Sequence, residues 1–177
     1  MADHEVHWRR TDDGFFDLGP LRVPATEGVR LSPLRNERGD KVLSVTVVRG
    51  RAAIQVQLFD ASAGLSWASV RRDLSEQVRQ RGGTVREIIG RSGPELQANL
   101  FTSGPDGRTR TMDVRFVGRE EQGRLLRGLI TGVGATPGSD DAWSYQVFEE
   151  TAVKDTGTGT GRPATTLRWP PVEVPAR

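Results

Sequence analysis

The sequence predicts an α+β fold, an antiparallel sheet with two main helices packed largely on one face. Three observations carry that expectation. Residues 65–83 have the apolar spacing of an amphipathic helix. On either side lie segments rich in β-branched residues that alternate apolar with polar. The connections between successive strand segments are short and carry turn residues, which favours hairpins over parallel crossovers. The order strands, helix, strands, helix is that of an α+β sandwich.

The first helix rests on its stripe. Trp67, Val70, Leu74 and Val78 recur at steps of three and four, so they share one face of a 3.6-residue period. Arg71, Arg72, Ser75, Arg79 and Gln80 point away from it. Ser66 is a good N-cap, because its hydroxyl accepts from orphan N–H groups of the first turn. Gly82 and Gly83 supply the left-handed residue on which many helices stop. Arg79 and Arg81 suit the negative end of the macrodipole.

Elsewhere the chain reads in short elements. Residues 1–13 are polar, carry His4 and His7, and read as a disordered leader. Phe15 to Val23 is an extended segment closed by Pro24, and Val29 with Leu31 makes another before Pro33. Lys41 to Val48 and Ala52 to Phe59 form a hairpin across Arg49, Gly50 and Arg51, with glycine at the turn. Residues 84–89, 95–102, 109–117 and 125–131 are the strands that follow the helix. A second helix starts near Ser139 or Asp140, with Trp143, Val147 and Phe148 facing inward. Val153 opens a last short strand. From Asp155 the chain turns Gly/Thr-rich and then proline-punctuated. The organisation expected is therefore a leader (1–13), one α+β domain (14–154) and a tail (155–177), flexible or draped over the surface.

A chain of 177 residues is long enough for one sizeable core. It has no cysteine, so no disulfide framework and no thiolate metal site. No apolar run approaches the roughly 20 residues of a membrane helix, and the first residues lack the apolar core of a signal peptide. A cytoplasmic location is expected. The formal net charge is only +2 although the pI is near 9.6. Both figures hold because every basic residue among the 25, except Lys41 and Lys154, is an arginine, charged far above neutrality. Arginines and acids are interspersed, unlike the concentrated basic surface of a nucleic-acid domain.

The body between residues 14 and 154 contains neither histidine nor cysteine, which excludes Cys–His and Ser–His–Asp nucleophile systems there. His4 and His7 stand in a segment that cannot hold a metal's geometry. A carboxylate pair needs only two acids at a set separation, and Glu87, Glu95, Asp113, Glu120, Glu121, Glu149 and Glu150 are the candidates. Each reads more simply as a solvated charge. The run from Gly132 to Gly138 follows a strand, but Pro137 stands where a dinucleotide fingerprint needs its third glycine. Gly157, Gly159 and Gly161 lead into Arg162 and Pro163 rather than the Lys-Ser/Thr of a P-loop. Both runs read as connectors. No metal or cofactor is expected. Arg71, Arg72 and Arg79 could meet an acidic partner or a phosphate, although Arg72 with Glu76 is also an ordinary i,i+4 pair on a solvated face. Trp8 and Trp169 are costly to leave exposed in polar termini, so each is expected against the body or a partner.

Several stretches together are similar to an uncharacterised actinobacterial family, a domain of unknown function. They are FDLGPLRVPATEGVRL, the Leu58-Phe59 strand end, LSWASVRRDLSEQVRQRGGTVRE, GPELQA at Gly93–Ala98 and VRFVG at Val114–Gly118. The resemblance covers roughly residues 14–154 in order. Gly123 to Gly128 departs from it by lacking an aromatic pair, which implies looser packing of that strand. The resemblance implies an actinobacterial, cytosolic protein and brings no reaction or catalytic residue. The element order also resembles Mog1/PsbP-like domains, an analogy that carries no function.

The leading functional expectation is a non-catalytic interaction module, an adaptor or assembly factor. It would meet a protein partner through a sheet edge, the helix surface or the termini. The alternative is a binder of an anionic ligand, nucleic acid included, through Arg71, Arg72 and Arg79. An enzyme comes third.

Overall fold

The computed structural model describes residues 6–7, 14–61, 64–154, 165–169 and 171–174. In chain order the elements are β1 (Val6–His7), β2 (Gly14–Asp17), β3 (Leu21–Ala25), β4 (Arg30–Arg35), β5 (Val42–Arg49), β6 (Ala52–Asp60), α1 (Trp67–Gln80), β7 (Thr84–Gly90), β8 (Gly93–Ser103), β9 (Thr109–Glu121), β10 (Arg124–Gly132), α2 (Trp143–Glu150), β11 (Ala152–Val153) and β12 (Val172–Val174). The strands make an eight-stranded sheet in the order β1-β4-β5-β6-β10-β9-β8-β7 and a four-stranded sheet in the order β11-β3-β2-β12. Every ladder is antiparallel. The α+β class expected from the sequence is the class observed.

The path explains the strand order. After β6 the chain crosses the large sheet as α1 and lands on its far edge as β7. Three tight hairpins then walk back through β8 and β9 to β10, which closes against β6 over nine paired positions. That return leaves β7, among the described residues, with a neighbour on one side only.

The layering differs from the one-sided arrangement expected. Side chains on a strand alternate faces, and β9 and β10 are apolar on both. Phe116 and Leu125 pack with Leu96, Ala98 and Val114 beneath Trp67, Leu74 and Val78 of α1. Val117 and Leu126, their immediate neighbours, belong to a second core with Tyr145, Val147 and Phe148 of α2 and with Phe16, Leu18, Leu21 and Val23 of the small sheet. The two helices therefore cover opposite faces. Leu125 and Leu126 are both fully buried, so the strand at Gly123 to Gly128 is tightly packed rather than loosened.

The seat of α1 is set by three contacts at its first residue. Ser66 accepts from the Ser69 N–H, and Ser69 returns the bond to the Ser66 N–H, a capping box built from two serines. The Trp67 N–H donates to Glu120 Oε1 at 2.6 Å, placing a carboxylate at the positive end of the helix. The Trp67 indole N–H donates to the Pro94 carbonyl at 2.7 Å, and its ring lies where any side chain on Gly118 would have to go. At the other end Gly82 adopts φ +81, and the Gly83 N–H reaches back to the Val78 carbonyl at 2.9 Å.

The second helix begins at Trp143, a few residues later than the expected start, with Asp141 Oδ1 accepting from the Trp143 N–H at 2.9 Å. Tail residues stitch the sheets together. Thr165 donates to the Leu58 carbonyl, Leu167 to that of Val42 and Arg168 to that of Leu18. Leu167 is buried, and Trp169 packs partly buried against the core. β12 then pairs with β2, and at the other end of the chain β1 pairs with β4.

Candidate functional site

Two neighbouring features on the β7–β8–β9 side carry most of the chemistry. The first is a buried polar cluster between the sheet and α2. Glu95 follows the turn after β7 and points to the α2 face, where it is only 1% exposed. The Tyr145 hydroxyl donates to Glu95 Oε1 at 2.5 Å, and Arg115 Nη1 donates to the Tyr145 oxygen at 2.9 Å. The guanidinium stands 3.7 Å from the same carboxylate oxygen. Gly90 lies so close that a Cβ there would meet the carboxyl group at 2.1 Å. Burial pushes the Glu95 carboxyl above its ordinary value, against the Tyr145 hydrogen bond and the Arg115 charge, which favour ionisation. Burial and then the Glu95 carboxylate push the Tyr145 hydroxyl up to about 12. Glu95 Oε2 has no hydrogen-bond partner.

Arginines hold the same helix at its far end. The Arg119 guanidinium donates to the Phe148 carbonyl at 2.6 Å and to the Thr151 carbonyl, satisfying groups that the last turn of α2 leaves open. Its Nε donates to Glu121 at 3.1 Å, and the guanidinium stacks 5.1 Å from the Phe148 ring centre. Arg91 holds Glu149 through two bonds of 2.8 Å. Glu121, Glu149 and Glu150 line one hollow of about 470 Å³ with these two arginines. The fold thus gathers three of the carboxylates the sequence leaves scattered, two of them already engaged by guanidinium groups. Of the others, Glu120 caps α1, Asp113 accepts from Asn99 at 2.9 Å and Glu87 pairs with Arg71.

The second feature is the edge itself. β7 is seven residues long and bonds to β8 throughout, and among the described residues nothing pairs with its other side. Val85, Glu87 and Ile89 share the α1 face, while Thr84, Arg86 and Ile88 share the α2 face. Ile89 is 80% exposed. Gly90 and Gly93 close the turn that follows.

The arginines singled out in the sequence separate. Arg71 donates to Glu87 at 3.1 Å and lies over the Trp67 ring, so its charge is satisfied within the fold. Arg72 and Arg79 are exposed, and with Asp73, Glu76 and Glu87 they line a shallow hollow. Glu76 accepts from Gln80 at 3.0 Å rather than from Arg72. Trp169 docks against the body, and Trp8 lies outside the described residues, as do His4 and Gly157 to Gly161. The run from Gly132 to Gly138 is a connector, with a 3₁₀ turn at Val133–Ala135 between an antiparallel strand and α2. Arg91, Arg115, Arg119 and Tyr145 were not picked out in the sequence. A signal existed for two of them: Arg115 and Arg119 are four apart on a strand, hence on one face.

A family model for proteins of unknown function, DUF3710, matches residues 3–173. This chain belongs to the DUF3710 family. The match extends beyond the 14–154 body into residues that pair as β1 and into the tail that carries Leu167 and β12. Neither a curated protein nor a solved structure matches this DUF3710 chain. Among the described residues no helix is long and apolar enough to cross a membrane.

Proposed function

We propose that this DUF3710 protein is a non-catalytic, cytoplasmic interaction module that takes an extended segment of a partner protein along the outer side of β7. One observation carries the reading: a seven-residue edge strand, free of proline and unpaired on its outer side among the described residues, that ends in an isoleucine four-fifths exposed. Edge strands of that length are commonly blunted by proline, bulges, cover or charged side chains, because their open N–H and C=O groups template another strand. Of these β7 carries charges, Arg86 and Glu87, the latter paired with Arg71. Strand addition uses those groups for affinity and alternate side chains for specificity. The buried cluster supports the same reading from behind. Glu95, Tyr145 and Arg115 are sealed beneath α2, where they fix the helix that braces β8 and β9.

A photoreactive side chain at Ile89 tests it, with the same group at Arg110, away from the edge, as the control. The expected result is a cross-link from Ile89 alone, mapping by mass spectrometry to one extended segment of one protein. Equal labelling from both positions, or none from Ile89 while a partner stays bound, overturns the reading.

A further inference from the structure

Resting on strand addition at β7, we infer that the incoming segment is acidic: an extended strand with an apolar residue against Ile89 and an acidic residue three positions further on, against Arg86. The charges along the edge argue for it. Arg86 gives both Nε and Nη2 to Gln97 Oε1, at 2.8 and 2.5 Å, so its partner is neutral and its positive charge stays uncompensated. Glu95, on the adjacent strand of that face, is sealed under α2 with Tyr145 and Arg115, and Asp113, two strands away at about 10 Å, has its Oδ1 already taken by Asn99. Glu87, the one acid of the edge strand, is neutralised by Arg71. Where the chain leaves α1 for β7, Arg79 and Arg81 are both exposed with no carboxylate partner among the described residues. The edge therefore carries the Arg86 charge at its middle and an apolar residue at its end. Arg81 is exposed where the chain enters it, and Arg79 lies above, in the hollow it shares with Asp73, Glu76 and Glu87.

Geometry fixes the pattern. Every ladder in the large sheet is antiparallel, and antiparallel pairing is the more stable per residue. An added antiparallel strand meets Ile89 first, Arg86 three residues later, and Arg81 and Arg79 beyond its own C-terminal end. Positions three apart lie on opposite faces of a strand, as Ile89 and Arg86 do. The segment so described reads apolar-x-x-Asp/Glu, followed by further acids. Like charge opposite Arg86 would be rejected.

The test uses the full chain and a displayed library of nine-residue extended segments, selected on the wild type and on Arg86→Glu. Arg86 is exposed, so the variant keeps its far-UV dichroism; Arg86→Gln is the second variant. The expected result is enrichment of apolar-x-x-Asp/Glu on the wild type. Binding of those segments falls about fivefold in Arg86→Gln, and Arg86→Glu selects Lys or Arg at the acidic position. Segments that cross-link to β7 but show no acidic preference, and bind all three chains alike, overturn the charge inference while strand addition stands. No segment cross-linking to β7 overturns both.

Discussion

Replacing Gly118 by alanine should unseat α1, and the size of the effect can be worked from the contact. A Cβ on Gly118 would lie 2.4 Å from Cδ2 and Cε3 of Trp67 and 2.9 Å from Cε2, whereas ordinary contact begins near 3.4 Å. The ring must therefore retreat by about 1 Å, the difference between 2.4 and 3.4 Å. It has little freedom to do so, because its N–H is held at 2.7 Å by the Pro94 carbonyl and it is almost wholly buried. Overpacking of a filled core costs about 1–3 kcal/mol. Losing the indole hydrogen bond adds about 1 kcal/mol. The stiffer unfolded chain returns about 0.4–1 kcal/mol. The expected net loss is about 1–3.5 kcal/mol. Urea unfolding followed by tryptophan fluorescence and by far-UV dichroism measures it. Trp67→Leu in the alanine background removes the clash, so the two changes should be coupled by at least about 1 kcal/mol in a double-mutant cycle. A Gly118→Ala loss within about 0.5 kcal/mol, or strict additivity with Trp67→Leu, would refute this account of how α1 is placed over β7.

Glu95 gives the fold a pH dependence of defined sign. Its carboxyl holds a proton more strongly in the native than in the unfolded state, so its contribution is present below the ordinary value of 4.5 and is lost as pH rises through the raised one. Urea midpoints of the wild type should fall across that window, and Glu95→Gln should flatten the slope; an unchanged slope would remove Glu95 as its source. Tyr145→Phe leaves Glu95 Oε1 and Arg115 without the hydroxyl that joins them, an expected loss of about 1–3 kcal/mol by the same assay. It should also steepen the pH slope, since a hydrogen bond that favours the ionised carboxylate is gone. Arg119→Lys cannot span Glu121, Phe148 and Thr151 together, so amide exchange in the last turn of α2 should quicken by about tenfold or more. Exchange there at the wild-type rate would show that those bonds do not secure the helix end.

How much of this was legible in the sequence depended on distance along the chain. Ser66, the Trp67-Val70-Leu74-Val78 stripe and Gly82 with Gly83 define α1 within 18 residues, and all of those signals are local. The hairpins after it were legible for the same reason, through the turn residues expected at 90–94, 103–107 and 118–123, although the strands run further into each turn than expected and β9 continues to Glu121. The faces were not. Leu125 and Leu126 are adjacent apolar residues, and period two cannot say which core each joins until β6 and α2 are in place. Glu95 reads as a surface charge because its seal, Tyr145, comes 50 residues later. Leu167 looks like a stray apolar residue in a polar tail until Val42 is set beside it. The arginines illustrate the same limit. Glu76 accepts from Gln80 rather than from Arg72, and Arg71 finds Glu87 sixteen residues further on, which leaves Arg86 rather than Arg71 as the unbalanced charge on the edge.

Backbone amide exchange of β7, measured residue by residue with and without a selected extended segment, tests the central claim most directly. In the free chain, the β7 amides not bonded to β8 should exchange as exposed groups. On binding, those outward amides between Thr84 and Gly90 should become protected, at alternate residues, as a new ladder forms. Binding that leaves β7 exchange unchanged while protecting another surface would contradict the account.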